Sequence, residues 1–274
     1  MSTRQYYFEM FNELKDLYSE EIIELDFYEG KFAKLYDTFP IVNDEFDIYI
    51  SEALQCGKNV FELCCGNGRL TIPFAKYGFN IDGIDSSEDM LQCLDERKKL
   101  LPKTIQKRIN CVQGNIFEAE IDKEYDFIFL PATTISILAD DEGQLIKLFS
   151  KMYDILNDNG SFVFDSRDEI DKKRRKSDIF TKTDKQTDCK SLTIFQEFFS
   201  YINGRTIGNF YSQVEDGKEI KRYITSTNKK IITEEFVKRV AEKSSFEIYK
   251  KLNSSHDDSN VTFWVLKKKG KYNE

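Results

Sequence analysis

One stretch constrains this chain more than any other: Val60-Phe61-Glu62-Leu63-Cys64-Cys65-Gly66-Asn67-Gly68-Arg69-Leu70, with Asp85 closing a second apolar run, Asn80-Ile81-Asp82-Gly83-Ile84-Asp85. Val60 to Cys64 has the length and apolar character of a buried strand, and Leu70, Phe74 and Tyr77 recur at helical spacing. Between them, Gly66-Asn67-Gly68 supplies a turn whose glycines take positive φ and let a ligand approach the backbone. An acidic residue ending the next strand is where a doubly wound sheet grips the two hydroxyls of a ribose. Strand, glycine turn, helix, strand and acid in this order predict an α/β, Rossmann-like sheet that binds a nucleoside.

The turn suits a dinucleotide poorly. That fingerprint wants G-x-G-x-x-G, its third glycine letting helix and strand pack closely, and the residue three after Gly68 is Thr71. The pattern resembles instead the E/D-x-G-x-G-x-G motif of class I S-adenosylmethionine-dependent methyltransferases. Cys64 stands where the first glycine would be and Arg69-Leu70 follows the last, so the match is to the looser ELxCGxGR form. The resemblance continues in order over roughly residues 28 to 168. Gly114-Asn115-Ile116-Phe117 follows the apolar segment Ile109 to Val112, Tyr125-Asp126 opens a fourth strand ending at Leu130, and Gly160 to Asp165 reads as a fifth.

That resemblance implies S-adenosyl-L-methionine as cofactor and S-adenosyl-L-homocysteine as product. Glu62 would sit near the cofactor's amino-acid end, with Cys64, Cys65, Gly66, Asn67 and Gly68 along the turn. Asp85 and Ser86 would meet the ribose. Asn115, between Gly114 and Ile116, would accept a hydrogen bond from the adenine amino group through its carbonyl oxygen. Met90 would touch the adenine or serve as core, and Leu130 completes the expected cofactor set.

Composition agrees with an enzyme of one elaborated domain without identifying one. The 274 residues are 40% hydrophobic, enough to bury a full core. The six cysteines include no C-x-x-C pair, which suits buried thiols in a reducing, cytoplasmic compartment. Neither an export signal nor a membrane span is expected, because Met1 to Glu13 is polar and aromatic and no apolar run approaches the length of a span. A net charge of −8 argues against a broad phosphate-binding surface, so nucleic acid is not an expected partner and a cationic or neutral acceptor fits better.

The chain divides by pattern. Residues 1–52 read as helices, with apolar positions at Tyr7, Phe11, Leu14 and Tyr18 and again at Phe32, Leu35, Tyr36 and Phe39; in the family such helices form a lid. Residues 53–168 carry the cofactor-binding core. Residues 169–230 hold three β-prone runs, Ser191 to Tyr201, Thr206 to Val214 and Ile220 to Thr227, which predict an antiparallel insertion. Residues 231–274 add a helix from Thr233 and two strands that complete a seven-stranded, mostly parallel sheet with its last strand antiparallel. In relatives the inserted sheet walls the acceptor pocket or joins two subunits, so a homodimer through it is an expected partner arrangement.

Methyl transfer asks little of the protein, because a sulfonium is already an activated donor and the main task is alignment and exclusion of water. Tyr36, in a segment resembling the "YD" entry of the family, is one candidate for the acceptor side, against a structural role in the lid. Asp165, at the open end of the fifth strand, is the other: its carboxylate could orient a cationic amine or cap the segment that follows. Thr133 and Thr134 could position the acceptor or satisfy turn backbone. The single histidine, His256, reads as surface loop, and no metal is expected.

Leu130-Pro131-Ala132-Thr133 lacks the N/D-P-P-Y/F/W motif of adenine-modifying enzymes, and no cysteine follows a proline as cytosine chemistry requires. The basic run Lys172 to Lys176 follows Asp165, Asp168, Glu169 and Asp171 and reads as a solvated face. The acceptor expected from these features is a small molecule or peptide, through nitrogen rather than oxygen. An RNA or protein methyltransferase and a silent cofactor-binding scaffold are the alternatives.

Overall fold

The computed structural model describes residues 6–36, 44–167, 176–183, 189–200, 204–253 and 261–270. From the N-terminus come α1 (Met10–Tyr18), β1 (Ile22–Glu24), α2 (Gly30–Leu35) and α3 (Asp44–Ala53). Strands and helices then alternate through β2 (Asn59–Leu63), α4 (Thr71–Lys76), β3 (Asn80–Asp85), α5 (Glu88–Lys99), α6 (Lys103–Gln106) and β4 (Ile109–Gln113). Next are β5 (Tyr125–Leu130), α7 (Ile135–Leu138), α8 (Glu142–Ile155) and β6 (Leu156–Arg167). Four strands follow: β7 (Lys176–Thr183), β8 (Lys190–Ser200), β9 (Arg205–Asp216) and β10 (Glu219–Lys230). The last described elements are α9 (Glu234–Lys243), β11 (Phe246–Asn253) and β12 (Val261–Lys268). The chain forms two compact units, residues 1–41 with 170–230 and residues 42–169 with 231–274.

The second unit is built on a seven-stranded sheet of order β11-β12-β6-β5-β2-β3-β4. The pairings among β2, β3, β4, β5 and β6 are parallel, while β12 runs antiparallel to β6 and to β11. This is the sheet the sequence predicts. Its central strands are apolar along almost their whole length because both faces are covered. Side-chain alternation along β5 sends Phe127 and Phe129 to one face with Tyr49, Phe74 and Phe263, and Ile128 and Leu130 to the other with Phe149, Phe164 and Val237. Phe74 of α4 stacks on Phe129 with ring centroids 4.8 Å apart.

Capping side chains start the helices that cover these faces: the Ser87 hydroxyl accepts from Met90 N, the Asp141 carboxylate from Gln144 N and the Thr233 hydroxyl from Phe236 N. Ser87, rather than Ser86, caps α5. Asp126 staples the amino end of the sheet, accepting the backbone N–H of Lys58 and of Asn59, each at 2.9 Å, and the Asn157 amide at 2.7 Å. The Tyr125-Asp126 pair is therefore structural.

The first unit carries a five-stranded sheet of order β1-β10-β9-β8-β7. Strands β7 to β10 pair antiparallel in sequence, and the three β-prone runs are β8, β9 and β10. Two strands escape the sequence reading. The segment before residue 52 is not wholly helical, since Ile22–Glu24 pairs parallel with β10 through Ile22↔Arg222. β7 is the second, its KSDIFTKT sequence mixing charge with β-formers as edge strands do. Phe11 of α1 packs on Tyr211 and Ile224, and buried Asn209 ties the preceding segment down by accepting from Phe8 N and donating to the Tyr6 carbonyl.

His256, Phe39, Asp168, Glu169, Asp171 and Lys172 to Arg175 lie outside the described residues. Among the described residues no helix is long and apolar enough to cross a membrane.

Candidate active site

The parallel strands of the second unit bring their carboxyl ends to one edge, the place where open α/β sheets bind ligands. β2 runs out into a turn in which Cys64, Gly66 and Gly68 have φ of 55°, 52° and 76°. Cys64, at the missing first glycine, thus holds a left-handed conformation that costs a side-chain-bearing residue about 1–2 kcal/mol. A Cβ on Gly68 would stand 2.8 Å from Leu94 Cγ, and one on Gly66 would stand 3.0 Å from Met90 Cε. The turn lies directly on α5, and only glycine fits at Gly68.

Asp85 locks this turn from β3. Its Oδ2 accepts the Gly66 N–H at 2.7 Å and its Oδ1 the Ser87 N–H at 2.9 Å. Burial pushes the Asp85 carboxyl above the usual range, while the N–H groups of Ser87, Gly66 and Ser86 pull it back. Each carboxylate oxygen keeps a further lone pair for a ligand donor. The backbone of Asp85 also accepts Gly114 N at 2.9 Å, bringing the end of β4 to the same edge.

Ser86 is exposed there and Met90 is buried behind Gly66. Asn67 is buried too, its carbonyl accepting from Arg97. Ile116 is buried, whereas Asn115 is exposed, its carbonyl oxygen accepting Phe117 N at 3.1 Å and its amide donating to Glu118 at 2.9 Å. An adenine amino group would have to use the second lone pair of that oxygen.

Glu62 is 2% exposed and its Oε2 accepts the Thr71 hydroxyl at 2.5 Å. Burial pushes its carboxyl up to about 8, with Asp85 and Glu45 adding to the rise and Thr71 and Arg69 opposing it. Arg69 is ion-paired with Glu45. Sequence reasoning recorded Thr71 only as a failed third glycine; the same residue holds the acid. Burial also pushes the Cys64 thiol up; at Cys65 contact with Cys111 leads and burial follows, so neither presents a ready thiolate.

At the end of β5, Ala132 and Thr133 have φ of 63° and 53°. Asp165 of β6 holds this left-handed step, its Oδ2 accepting Thr133 N at 2.7 Å. Its Oδ1 accepts the phenol of Tyr49 at 2.6 Å, and that phenol also lies 3.2 Å from the Leu130 carbonyl. Tyr49 is fully buried and its phenol is pushed well up, by burial first and then by Asp165. The Leu130 side chain is buried in the core. Thr134 satisfies turn backbone, its hydroxyl donating to the Pro131 carbonyl.

Tyr49 is thus a partner of Asp165 that the sequence did not reveal. Tyr36 belongs to the first unit, where its ring packs on Phe27 and Tyr28 at centroid distances of 5.8 and 6.2 Å.

Residues 60–160 match the family model described as a methyltransferase domain. Those residues carry a methyltransferase domain, and the fold is one shared with solved methyltransferases. Over 111 residues it is 29% identical to a putative methyltransferase of Geobacillus sp. (strain WCH70), a match covering 40% of this chain and 43% of that protein. The chain spans about half the length of the curated relatives it matches. Among solved structures it is similar to the CcbJ methyltransferase from Streptomyces caelestis, at 17% identity and a TM-score of 0.70, covering 89% of this chain and 98% of that one. It is similar also to the glycopeptide N-methyltransferase MtfA complexed with (S)-adenosyl-L-methionine, at 15% identity and a TM-score of 0.67, covering 97% and 100%. At such identities the likeness is one of fold.

Proposed function

We propose that this protein transfers a methyl group from S-adenosyl-L-methionine to an amine nitrogen of a small-molecule or peptide acceptor. The observation that carries the reading is the Asp85 carboxylate, fixed by Gly66 N and Ser87 N beside a left-handed glycine turn, with lone pairs left for the two hydroxyls of a ribose. The domain match supports it, and MtfA, a glycopeptide N-methyltransferase of the same fold, is the precedent for nitrogen as the accepting atom.

The donor supplies an activated methyl group on a sulfonium. This chain's residues bind and align. Asp85 holds the ribose, Glu62 faces the amino-acid end, and the Gly66 to Gly68 backbone lines the approach. An ammonium must lose its proton before it can attack, and desolvation lowers its pKa enough for release to water without a dedicated base. Asp165, held by Tyr49 and Thr133, acts as a positioning residue for the β5 end. For Tyr36, an acceptor role rests on the family resemblance of its segment alone.

Incubation with methyl-labelled S-adenosyl-L-methionine and matched amine and alcohol acceptors tests the reading. Label in the amines is the expected result. Label in alcohols alone would overturn the choice of nitrogen, and none in either set, or in peptides with open amino termini, would overturn the transfer itself.

A further inference from the structure

Charge around the glycine turn is out of balance. Glu62 faces Arg69 from the turn, Asp85 from β3, Glu45 from α3 and the Thr71 hydroxyl from α4. The Cys64 and Cys65 thiols also lie within its field. From β5 the residue opposite is Phe129, which is apolar, and the Tyr49 phenol of α3 is turned to Asp165. Among the described residues, Glu62 and Glu45 thus lie in the field of the Arg69 guanidinium, which is ion-paired with Glu45, while the Asp85 carboxylate is held by backbone N–H groups.

A carboxylate as buried as Glu62 cannot hold an uncompensated charge cheaply. The resting molecule resolves this by keeping a proton on Glu62, whose carboxyl is pushed up to about 8.

Resting on the functional reading above, we propose that ligand capture at this turn is proton-coupled, a cationic group of the ligand displacing the Glu62 proton to solvent. In balance, the neutral carboxyl and an ammonium give a carboxylate–ammonium pair, and one proton passes to buffer. The ligand class is a nucleoside bearing an amino-acid end. With its carboxyl pushed up this far by burial, Glu62 holds its proton at pH 7, so a proton is released as the ligand binds.

The test is calorimetric titration with S-adenosylhomocysteine in phosphate and in Tris, buffers of very different ionisation enthalpy, with adenosine as the probe lacking the ammonium. The expected result is a buffer-dependent heat that reports net proton release for S-adenosylhomocysteine and none for adenosine. Glu62→Gln, which can still accept from Thr71, should bind more weakly and lose the buffer dependence.

The wild-type protein supplies a second measure that needs no variant. The S-adenosylhomocysteine Kd should weaken severalfold from pH 7 to pH 6 as the proton competes, while the adenosine Kd stays level. Binding with no proton release, a level Kd, or release persisting in Glu62→Gln overturns the proposal. No binding of S-adenosylhomocysteine in either buffer overturns the functional reading and this proposal with it.

Discussion

The Asp85 carboxylate accepts the Gly66 N–H at 2.7 Å across 19 positions of sequence, joining the end of β3 to the turn that leaves β2. A second bond from Ser87 N means that one side chain fixes the turn, the strand end and the start of α5 together. Replacing Asp85 by Ala should weaken S-adenosylhomocysteine binding by about 1.5 to 3 kcal/mol, the range for hydrogen bonds to a charged group. Calorimetry on a variant that still melts cooperatively checks this, and unchanged affinity would remove Asp85 from the site.

The turn itself separates two substitutions that look alike on paper. Gly68→Ala puts a Cβ at φ 76° against Leu94 and should cost about 2 to 4 kcal/mol in urea unfolding. Cys64→Gly relieves a left-handed side-chain residue and should fold with stability within about 1 kcal/mol of wild type. Equal losses for both would contradict the assignment of strain.

Stability should depend on pH through Glu62. The folded carboxyl titrates near 8, above its ordinary value of 4.5, so between those values the native state holds a proton that the unfolded chain has lost. Its contribution is present at low pH and disappears as pH rises toward 8, a fall of at most about 1.4 kcal/mol per pH unit. Urea unfolding of wild type and Glu62→Gln at pH 5.5, 6.5 and 7.5 isolates it: the difference between the two should shift steadily against wild type as pH rises. A constant difference would place Glu62 among ordinary carboxylates.

Tyr49→Phe removes the phenol from Asp165 and leaves a buried carboxylate oxygen short of a donor, at a cost of about 2 to 3 kcal/mol. Turnover should fall more than S-adenosylhomocysteine affinity, because the pair holds the β5 end rather than the ribose side. Parallel losses in the two assays would make Tyr49 a core residue only.

The mostly parallel sheet was legible because doubly covered strands must be apolar runs and because the glycine turn and Asp85 lie within 19 residues of each other. What stayed hidden depends on distance or on a partner. Tyr49 meets Asp165 across 116 positions, and no local pattern marks a phenol aimed at a carboxylate. Thr71 showed only as a departure from a motif, although its hydroxyl holds Glu62. The strand at Ile22–Glu24 is too short to carry a period and exists because β10 offers it an edge. Tyr125-Asp126 was legible as the start of a strand, but the stapling of the amino end of the sheet by Asp126, through Lys58 N and Asn59 N, was not.

Calorimetric titration of the wild-type protein with S-adenosylhomocysteine, with NAD in parallel, tests the cofactor assignment without waiting for the acceptor. Saturable micromolar binding of the thioether and no heat from NAD is the expected result. Binding of NAD, or of neither ligand, would contradict the claim that Glu62, the Gly66 to Gly68 turn and Asp85 form a site for S-adenosyl-L-methionine.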